Sequence, residues 1–315
     1  MLAASAITRA MGTIQPLRFA GDKPPLGLIA GPTASGKSAY AVQLAQLAEA
    51  AGAKPVIVNA DASQMYADLR VLSARPADEE MNGIEHQLFG AWDGTTAGSA
   101  AHWAALAKAA IASVHAEGGV PILVGGTGLY LSTLLDGIAP IPATPENVRL
   151  AVRGLAQEEA RQALQQEDPE SAARLAPADK ARTQRALEVV RATGRSIGWW
   201  RMRKDGGIAT QVALDARVLL PPRDTLYARC DARFAAMIAE GALDEVRVLL
   251  ARNLDSALPV MRAIGVPQIA AYLRGEVELE MAVVLGQTAT RQYAKRQCTW
   301  FNHQPPVQWQ RLHDA

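Results

Sequence analysis

The feature that most constrains this chain is a glycine-rich segment, Gly31-Pro32-Thr33-Ala34-Ser35-Gly36-Lys37-Ser38, which fits the pattern G-x-x-x-x-G-K-[ST]. It follows the apolar run 26–30 and precedes a stretch of good helix formers over 39–45. A strand, a glycine-rich turn and a helix in this order form a phosphate-binding loop, because the N–H groups of the turn and of the helix N-terminus face an anion. We therefore expect a polyphosphate ligand here, with Lys37 on its terminal phosphates and the Ser38 hydroxyl on Mg²⁺.

Further apolar runs over 56–61 and 119–124, separated by an alanine-rich helical stretch over 99–117, continue the alternation of strands and helices. Such alternation predicts a parallel sheet with crossover helices. Three prolines over 139–145 then mark a boundary, and 146–204 has the pattern of helices only. A fourth strand is expected at 216–220, with helices from there to about residue 300. The predicted fold class is α/β: a P-loop NTPase-like parallel sheet core flanked by helices, with a helical insertion domain.

These patterns divide the chain into three parts. Residues 1–24 are expected to be a poorly ordered N-terminal lead, 25–140 and 205–315 the catalytic core, and 141–204 the helical insertion. Hydrophobic residues make up 49% of the 315 residues and charged residues 20%, which excludes disorder along the whole chain. Two cysteines exclude a disulfide scaffold and a structural zinc cluster. Without an apolar run of the roughly 20 residues that span a bilayer, we expect a cytoplasmic protein with no membrane partner.

Two strand ends carry side chains suited to chemistry. An ordinary ATPase or GTPase has an apolar strand that ends in a metal-binding Asp, but the third strand here runs into Gly125-Gly126-Thr127. The second strand instead ends in Asp61, which could hold a metal, act as a general base or cap the next helix. Since ligands bind at the carboxyl ends of strands in an open α/β sheet, Ser38, Asp61 and Thr127 are expected to face one crevice.

The segment 181–204 is strongly basic, with seven Lys or Arg residues and one acid, Glu188. Arg182 and Arg185 are three residues apart and would share a helix face. A charge run of this kind is compatible with a solvated helix face. Its place in an insertion beside a phosphate site also favours a nucleic-acid contact, although the net charge of the whole chain is only +1.

A series of longer motifs occurs in a fixed order. They are GPTASGKS (31–38), NADASQMY (59–66), SARP (73–76), GGTGLYLSTLLDG (125–137), RTQRALEVVRATG (182–194), MRAIGVPQI (261–269) and TRQYAKRQCTWF (290–301). Together they closely resemble the tRNA dimethylallyltransferases, also called tRNA isopentenyltransferases, of the bacterial type. The resemblance covers roughly residues 26–303 and is far more specific than the P-loop alone.

The resemblance implies an enzyme that moves a dimethylallyl group from dimethylallyl diphosphate to N6 of the adenine immediately 3′ of the anticodon in tRNA. The products are N6-isopentenyladenosine and diphosphate. It implies that Gly31–Ser38 cradles the diphosphate with Mg²⁺ at Ser38, and that Asp61 is the general base for the N6 amine. Thr127 then lies near the reacting groups, and Arg223 helps to bind the leaving diphosphate, where negative charge builds up.

The resemblance also implies which residues contact the tRNA anticodon stem-loop, and that the adenine is splayed out into a pocket. These residues are Asp61, Ala62, Ser63, Gln64, Thr127, Arg149, Ala181, Arg182, Thr183, Gln184, Arg185, Arg262, Ala263, Ile264, Gly265, Val266 and Pro267. We expect a monomer. Three alternatives remain open at this point: an enzyme that prenylates free AMP, ADP or ATP, a small-molecule or nucleoside kinase, and a non-catalytic RNA-binding protein.

Overall fold

The computed structural model of the chain describes residues 14–313, and these form two compact units. The described residues up to Thr133, together with those from Ala209 onward, make up the first, called here the core unit. Leu134–Ile208 make up the second, called here the helical unit. No helix in residues 14–313 combines the length and the apolar character needed to cross a membrane.

The core unit is built on a parallel sheet. Among its described residues, six strands lie side by side in the order β3-β2-β4-β1-β7-β8, and each neighbouring pair runs parallel. The strands are β1 (Pro25–Ala30), β2 (Pro55–Asn59), β3 (Glu85–Gln87), β4 (Val120–Gly125), β7 (Ala213–Leu219) and β8 (Gln310–Leu312). The three apolar runs that were expected to be strands are β1, β2 and β4. Strand β7 begins three residues earlier than the expected fourth strand.

Helices connect and flank these strands. They are α1 (Lys37–Ala50), α2 (Asp78–Met81), α3 (Ala100–Ala116), α4 (Gly128–Asp136), α10 (Arg223–Ala239), α11 (Ala242–Ala251), α12 (Val266–Leu273) and α13 (Leu279–His303). Short 3₁₀ turns occur at Ser63–Met65 and Pro259–Arg262. Helix α13 packs against both α10 and α12. The parallel sheet with helices between its strands is the predicted α/β architecture.

The sheet register brings the ends of the three central strands together. Ala30, the last residue of β1, pairs with Gly125, the last residue of β4. Asn59, the last residue of β2, pairs with Val124. The residues that follow these strands therefore emerge at one edge of the sheet. Gly125 must be small there, since a Cβ would lie 2.2 Å from the carbonyl carbon of Ala60.

The N-terminal lead is tied to β7 over part of its length. The buried Arg217 guanidinium donates to the carbonyl oxygens of Gln15 (2.6 Å) and Pro16 (2.8 Å), and the Arg18 N–H donates to Asp215 (2.8 Å). Further hydrogen bonds from Arg217 to the Asp215 carboxylate and to the Tyr40 hydroxyl hold the guanidinium in place for this attachment. Residues 15–18 of the expected N-terminal lead therefore make specific contacts with β7, and the portion over 1–13 lies outside the described residues.

The helical unit has a core of its own. Its helices are α5 (Glu146–Arg153), α6 (Gln157–Glu167), α7 (Pro169–Arg174), α8 (Lys180–Thr193) and α9 (Ile197–Arg201). Buried Leu164 and Leu187 lie in its apolar cluster. The buried Glu188 carboxylate accepts from Arg153 (3.1 Å) and Arg185 (3.3 Å), so two of the unit's cations neutralise one buried acid.

The boundaries of the helical unit differ from the predicted 141–204. Strands β5 (Gly137–Ile138) and β6 (Asp205–Gly206) pair as a short antiparallel ribbon, and the Ile208 N–H donates to the Leu134 carbonyl oxygen. This ribbon joins the entering and leaving chain segments, so the unit extends over Leu134–Ile208. Two-residue strands are too short for sequence periodicity to predict.

Candidate active site

The glycine-rich segment forms a tight loop between β1 and α1, as the motif predicts. A Cβ at Gly31 would lie 2.6 Å from the Leu219 carbonyl oxygen on β7, so only glycine fits there. Gly36 adopts a left-handed conformation (φ 89°) immediately before α1. The loop therefore turns sharply and presents the N-terminus of a 14-residue helix, which favours negative charge.

A cavity of about 720 Å³ opens beside this loop, and the residues that line it all belong to the core unit. Polar and charged side chains include Thr33, Lys37, Ser38, Asp61, Ser63, Gln64, Tyr66, Ser73, Thr127, Tyr130, Arg233, Arg262, Thr290, Tyr293 and Arg296. Apolar side chains include Leu72, Leu129, Phe234, Met237, Pro259 and Ile264. One cavity thus offers cations, a carboxylate and an apolar surface large enough for a small organic group.

Two cations occupy the P-loop part of this cavity. The Lys37 ammonium donates to the Pro32 carbonyl oxygen at 3.4 Å, and the Arg233 guanidinium donates to the Thr33 hydroxyl. Burial lowers the pKa of Lys37 to about 8; the Asp61 carboxylate raises it and the Arg233 charge lowers it further. Burial likewise lowers the pKa of Arg233. An anion between these groups would compensate the charge that burial disfavours.

A glutamine on α13 connects the P-loop to the loop after β4. The buried Gln297 side chain accepts from the Thr33 N–H and donates to the Gly126 carbonyl oxygen, both at 2.8 Å. Its amide is matched to both partners, which fixes the distance between the two loops. The Ser35 hydroxyl, also buried, has no hydrogen-bond partner among the described residues. An anion bound in the P-loop would give this unpaired hydroxyl an oxygen acceptor, so the loop fits an anionic ligand.

Asp61 follows β2 and is held by its neighbours. Its Oδ1 accepts from the Ser63 hydroxyl (2.7 Å) and the Ser63 N–H (3.1 Å). The buried Asn59 side chain accepts from the Asp61 N–H (2.8 Å) and donates to the Asp61 carbonyl oxygen (3.0 Å). Asp61 is only 8% exposed, yet it lines the cavity. The carboxylate is therefore oriented and partly shielded from water, as a general base would need to be.

Thr127 closes the arrangement from the other strand end. Its hydroxyl accepts from the Ala62 N–H (3.0 Å), and its own N–H donates to the Ala60 carbonyl oxygen (3.3 Å). Tyr293 from α13 lines the same cavity beside Thr127. Burial, together with the negative charge of Asp61, raises the pKa of Tyr293, so its phenol stays protonated at neutral pH. The expected crevice of Ser38, Asp61 and Thr127 is confirmed in that all three line one cavity.

The sequence-predicted site residues divide into those that line the cavity and those that do not. Lining residues are Thr33, Lys37, Ser38, Asp61, Ala62, Ser63, Gln64, Thr127, Arg262, Ala263 and Ile264. Of the remaining P-loop positions, Gly31, Pro32, Ala34, Ser35 and Gly36 build the turn. The segment after Ile264 leads away from the cavity: Gly265 and Pro267 are not among its lining residues, and Val266 is 1% exposed in the core. The first turn of α12 points the Val266 side chain inward, so the structure does not support a tRNA contact through this side chain.

In the helical unit, Arg149, Ala181 and Arg182 are exposed, and Gln184 and Arg185 are half-buried. Thr183 is fully buried, so the structure does not support the predicted tRNA contact at this position. It lies on α8, where successive residues point to different sides of the helix. A contiguous motif over 181–185 therefore cannot present all five side chains to one ligand.

The predicted role of Arg223 in binding the leaving diphosphate stays a prediction. Arg223 begins α10, is exposed, and stacks over the Tyr227 ring at 5.0 Å without lining the cavity. Arg233 from the same helix lies beside Lys37 instead. The motifs in the sequence do not include Arg233, although a local signal exists: Cys230, Phe234 and Met237 form an apolar stripe at i, i+4 and i+7, and Arg233 lies within it. The cavity residues Tyr66, Tyr130, Tyr293 and Arg296 were also missed.

The fold and the cavity define an α/β protein with a P-loop-like fold, in which cationic side chains and a carboxylate line one cavity at the carboxyl ends of the strands. Comparison with known proteins makes this specific. The family model described as IPP transferase matches residues 64–304. The tRNA dimethylallyltransferase of Erythrobacter litoralis is 60% identical over 292 residues, 93% of this chain and 92% of that relative. That of Sphingopyxis alaskensis is 59% identical over 286 residues, 91% of this chain and 92% of that relative.

Solved structures agree with the sequence comparison. The full-length tRNA isopentenylpyrophosphate transferase of Bacillus halodurans superposes with a TM-score of 0.67 at 30% identity, covering 93% of this chain and 90% of its own. A eukaryotic dimethylallyltransferase acting on tRNA gives a TM-score of 0.76 at 26% identity, covering 89% of this chain and 70% of its own. The chain belongs to the tRNA dimethylallyltransferase family and is a prenyltransferase. The family, the enzyme class and the α/β fold predicted from the sequence are confirmed.

Proposed function

We propose that this chain transfers a dimethylallyl group from dimethylallyl diphosphate to N6 of the adenine immediately 3′ of the anticodon in tRNA. The products would be N6-isopentenyladenosine and diphosphate. The observation that carries the proposal is the placement of the Asp61 carboxylate in one cavity with two half-buried cations, Lys37 and Arg233. Cations bind the diphosphate donor, and a carboxylate beside them can remove a proton from an amine that attacks it.

The donor diphosphate would lie against the P-loop. The N-terminus of α1, Lys37 and Arg233 supply positive charge, and the Thr33 hydroxyl contacts Arg233 and lies on the same wall. The Ser38 hydroxyl lines the cavity next to Lys37 and fits Mg²⁺, which prefers oxygen ligands and is commonly bound together with phosphates. When bound, Mg²⁺ would neutralise negative charge on the diphosphate. The apolar side chains of Phe234 and Met237 could accept the five-carbon tail.

The chemical step would be a substitution at the allylic carbon. Asp61 takes a proton from the N6 amine, which is a weak nucleophile, while the new N–C bond forms. The bond between the allylic carbon and the diphosphate oxygen breaks, and the electron pair leaves with the diphosphate. Lys37 and Arg233 stabilise the charge that develops on this leaving group. Thr127, which hydrogen bonds with the backbone of Ala62 and Ala60, keeps the strand ends beside Asp61 in place.

Prenyl transfer from labelled dimethylallyl diphosphate with Mg²⁺ tests the proposal directly. Three acceptors are compared: an anticodon stem-loop with adenine 3′ of the anticodon, the same stem-loop with guanine at that position, and AMP. We expect label on the first acceptor alone. Label on AMP would assign the cavity to a free nucleotide, and equal label on both stem-loops would contradict the proposed adenine position.

The exposed arginines of the helical unit are proposed to contact the tRNA backbone. The Arg182 side chain is 74% exposed and pairs only with Asp179 among the contacts it makes in the described structure. Arg182→Gln should weaken tRNA binding and reduce the slope of log K against log salt by about 1, the value for one lost phosphate contact. Filter binding across a salt series measures both quantities.

Arg174 provides the matched control for this prediction. It is equally exposed in the helical unit, pairs with Glu170 and lies outside the 181–185 motif. Arg174→Gln should leave the salt slope unchanged. If Arg182→Gln also leaves the affinity and the slope unchanged, α8 does not contact the tRNA backbone at this residue.

A further inference from the structure

We propose that Glu245 is a positioning residue that fixes the acceptor-facing wall of the cavity. Glu245 lies on α11, and its carboxylate accepts three consecutive backbone N–H groups. Oε1 accepts from Arg70 (2.6 Å) and Val71 (2.8 Å), and Oε2 accepts from Leu72 (2.9 Å). Glu245 does not line the cavity itself. Whatever it contributes to the reaction must therefore pass through this loop.

The loop held by Glu245 is part of the site. Leu72, Ser73 and Ala74 line the cavity. The Gln64 side-chain amide donates to the carbonyl oxygens of Ser73 (3.1 Å) and Ala74 (2.8 Å) from the other side. The loop is thus fixed at its N–H groups by Glu245 and at its carbonyl groups by Gln64, which follows Asp61 by three residues.

This loop also supports the neighbouring wall. Leu72 packs so closely on Gly265 (φ 98°) that a Cβ there would lie 2.6 Å from the Leu72 Cδ2. The residues just before Gly265, from Arg262 to Ile264, line the cavity together with the loop. Displacement of Leu72 would therefore disturb both segments. The P-loop, in contrast, is held by Gln297 and Arg233, which make no hydrogen bond to the 70–74 loop in the described structure.

The chemistry of the contact explains why a carboxylate is needed. Three N–H groups in sequence form a concave donor site that favours an anion, and hydrogen bonds to a charged acceptor are stronger than neutral ones. A glutamine has a similar shape but only one acceptor oxygen. Its NH₂ group would face a backbone N–H, so at least one donor of the loop would lose its partner.

Glu245→Gln tests the inference, with Asp244→Asn as the matched control. Asp244 is the preceding residue on α11, and its exposed carboxylate pairs with Arg247 rather than with the loop. We expect Glu245→Gln to raise the KM for the tRNA stem-loop about tenfold, the effect of one charge-assisted hydrogen bond. The KM for dimethylallyl diphosphate should change by no more than about twofold, which corresponds to much less than the 1.4 kcal/mol of a tenfold change. Both KM values of Asp244→Asn should equal those of the unaltered chain. A merely structural effect would lower the fraction of active enzyme and leave both KM values unaltered.

Hydrogen exchange gives a second readout that does not depend on activity. The amides of Arg70, Val71 and Leu72 should exchange faster in Glu245→Gln while α1 and α13 keep their protection. Unchanged exchange at these amides, or equal rises in both KM values, would overturn the inference. The role of Glu245 rests on the proposed function in one respect, namely that the 70–74 loop faces the tRNA acceptor. If the unaltered chain labels AMP and not the stem-loop, that proposal fails, and the KM comparison is made with AMP while the exchange result still decides the role of Glu245.

Discussion

Replacement of Asp61 by asparagine is expected to lower the rate of dimethylallyl transfer by about 10²–10⁴-fold, the usual contribution of a general base. An amide cannot accept the proton from the N6 amine. Asparagine can still accept the two hydrogen bonds from Ser63, because its side-chain oxygen can take the place of Oδ1. The local backbone and the cavity should therefore persist. Single-turnover transfer to a saturating tRNA stem-loop measures the rate without a contribution from binding.

Binding measurements make this prediction specific. The affinity of Asp61→Asn for the stem-loop should stay close to that of the unaltered chain, and Asp244→Asn should retain full activity, because that acid is exposed outside the cavity. A variant that lost stem-loop binding but transferred normally once bound would show that Asp61 binds the acceptor without acting as the base.

The parts of the fold that the sequence predicts well are those with a strong local pattern. β1, β2 and β4 are continuous apolar runs because both faces of a parallel sheet are covered. The edge strands β3 and β8 have three residues each and are partly exposed, so no periodicity indicates them. The attachment of Gln15 and Pro16 depends on Arg217, about 200 residues away, and no local pattern contains that contact.

The candidate site follows the same division. Asp61 and Thr127 could be predicted because they follow strands whose carboxyl ends meet at one edge of the sheet. The positions of Tyr293 and Arg233 depend on how α10 and α13 pack, which the sequence does not specify. Thr183 and Val266 show the opposite case, in which the side chain of a motif residue is buried. A motif assigns a run of consecutive residues to a ligand, but a helix turns some of them into the core.

The second large effect is expected at Arg233, a residue of α10 that lines the cavity. Arg233→Gln is expected to lower kcat/KM for dimethylallyl diphosphate by about 10²–10³-fold, the effect of removing a donor aimed at developing charge. The half-buried guanidinium lies beside Lys37, so its loss removes one of the two cations that would face the leaving diphosphate. Steady-state kinetics with the donor varied at saturating stem-loop measures the effect.

Arg223→Gln is the matched control, since it makes the same change on the same helix. Arg223 is exposed and contacts the Tyr227 ring outside the cavity. Its loss should therefore change kcat/KM for the donor by no more than about twofold, whereas 1.4 kcal/mol would give a tenfold change. Arg233→Lys should recover part of the lost activity, because lysine keeps the charge but not the planar pair of donors. The reverse outcome, a large loss in Arg223→Gln with Arg233→Gln unaffected, would restore the assignment that the sequence resemblance implied.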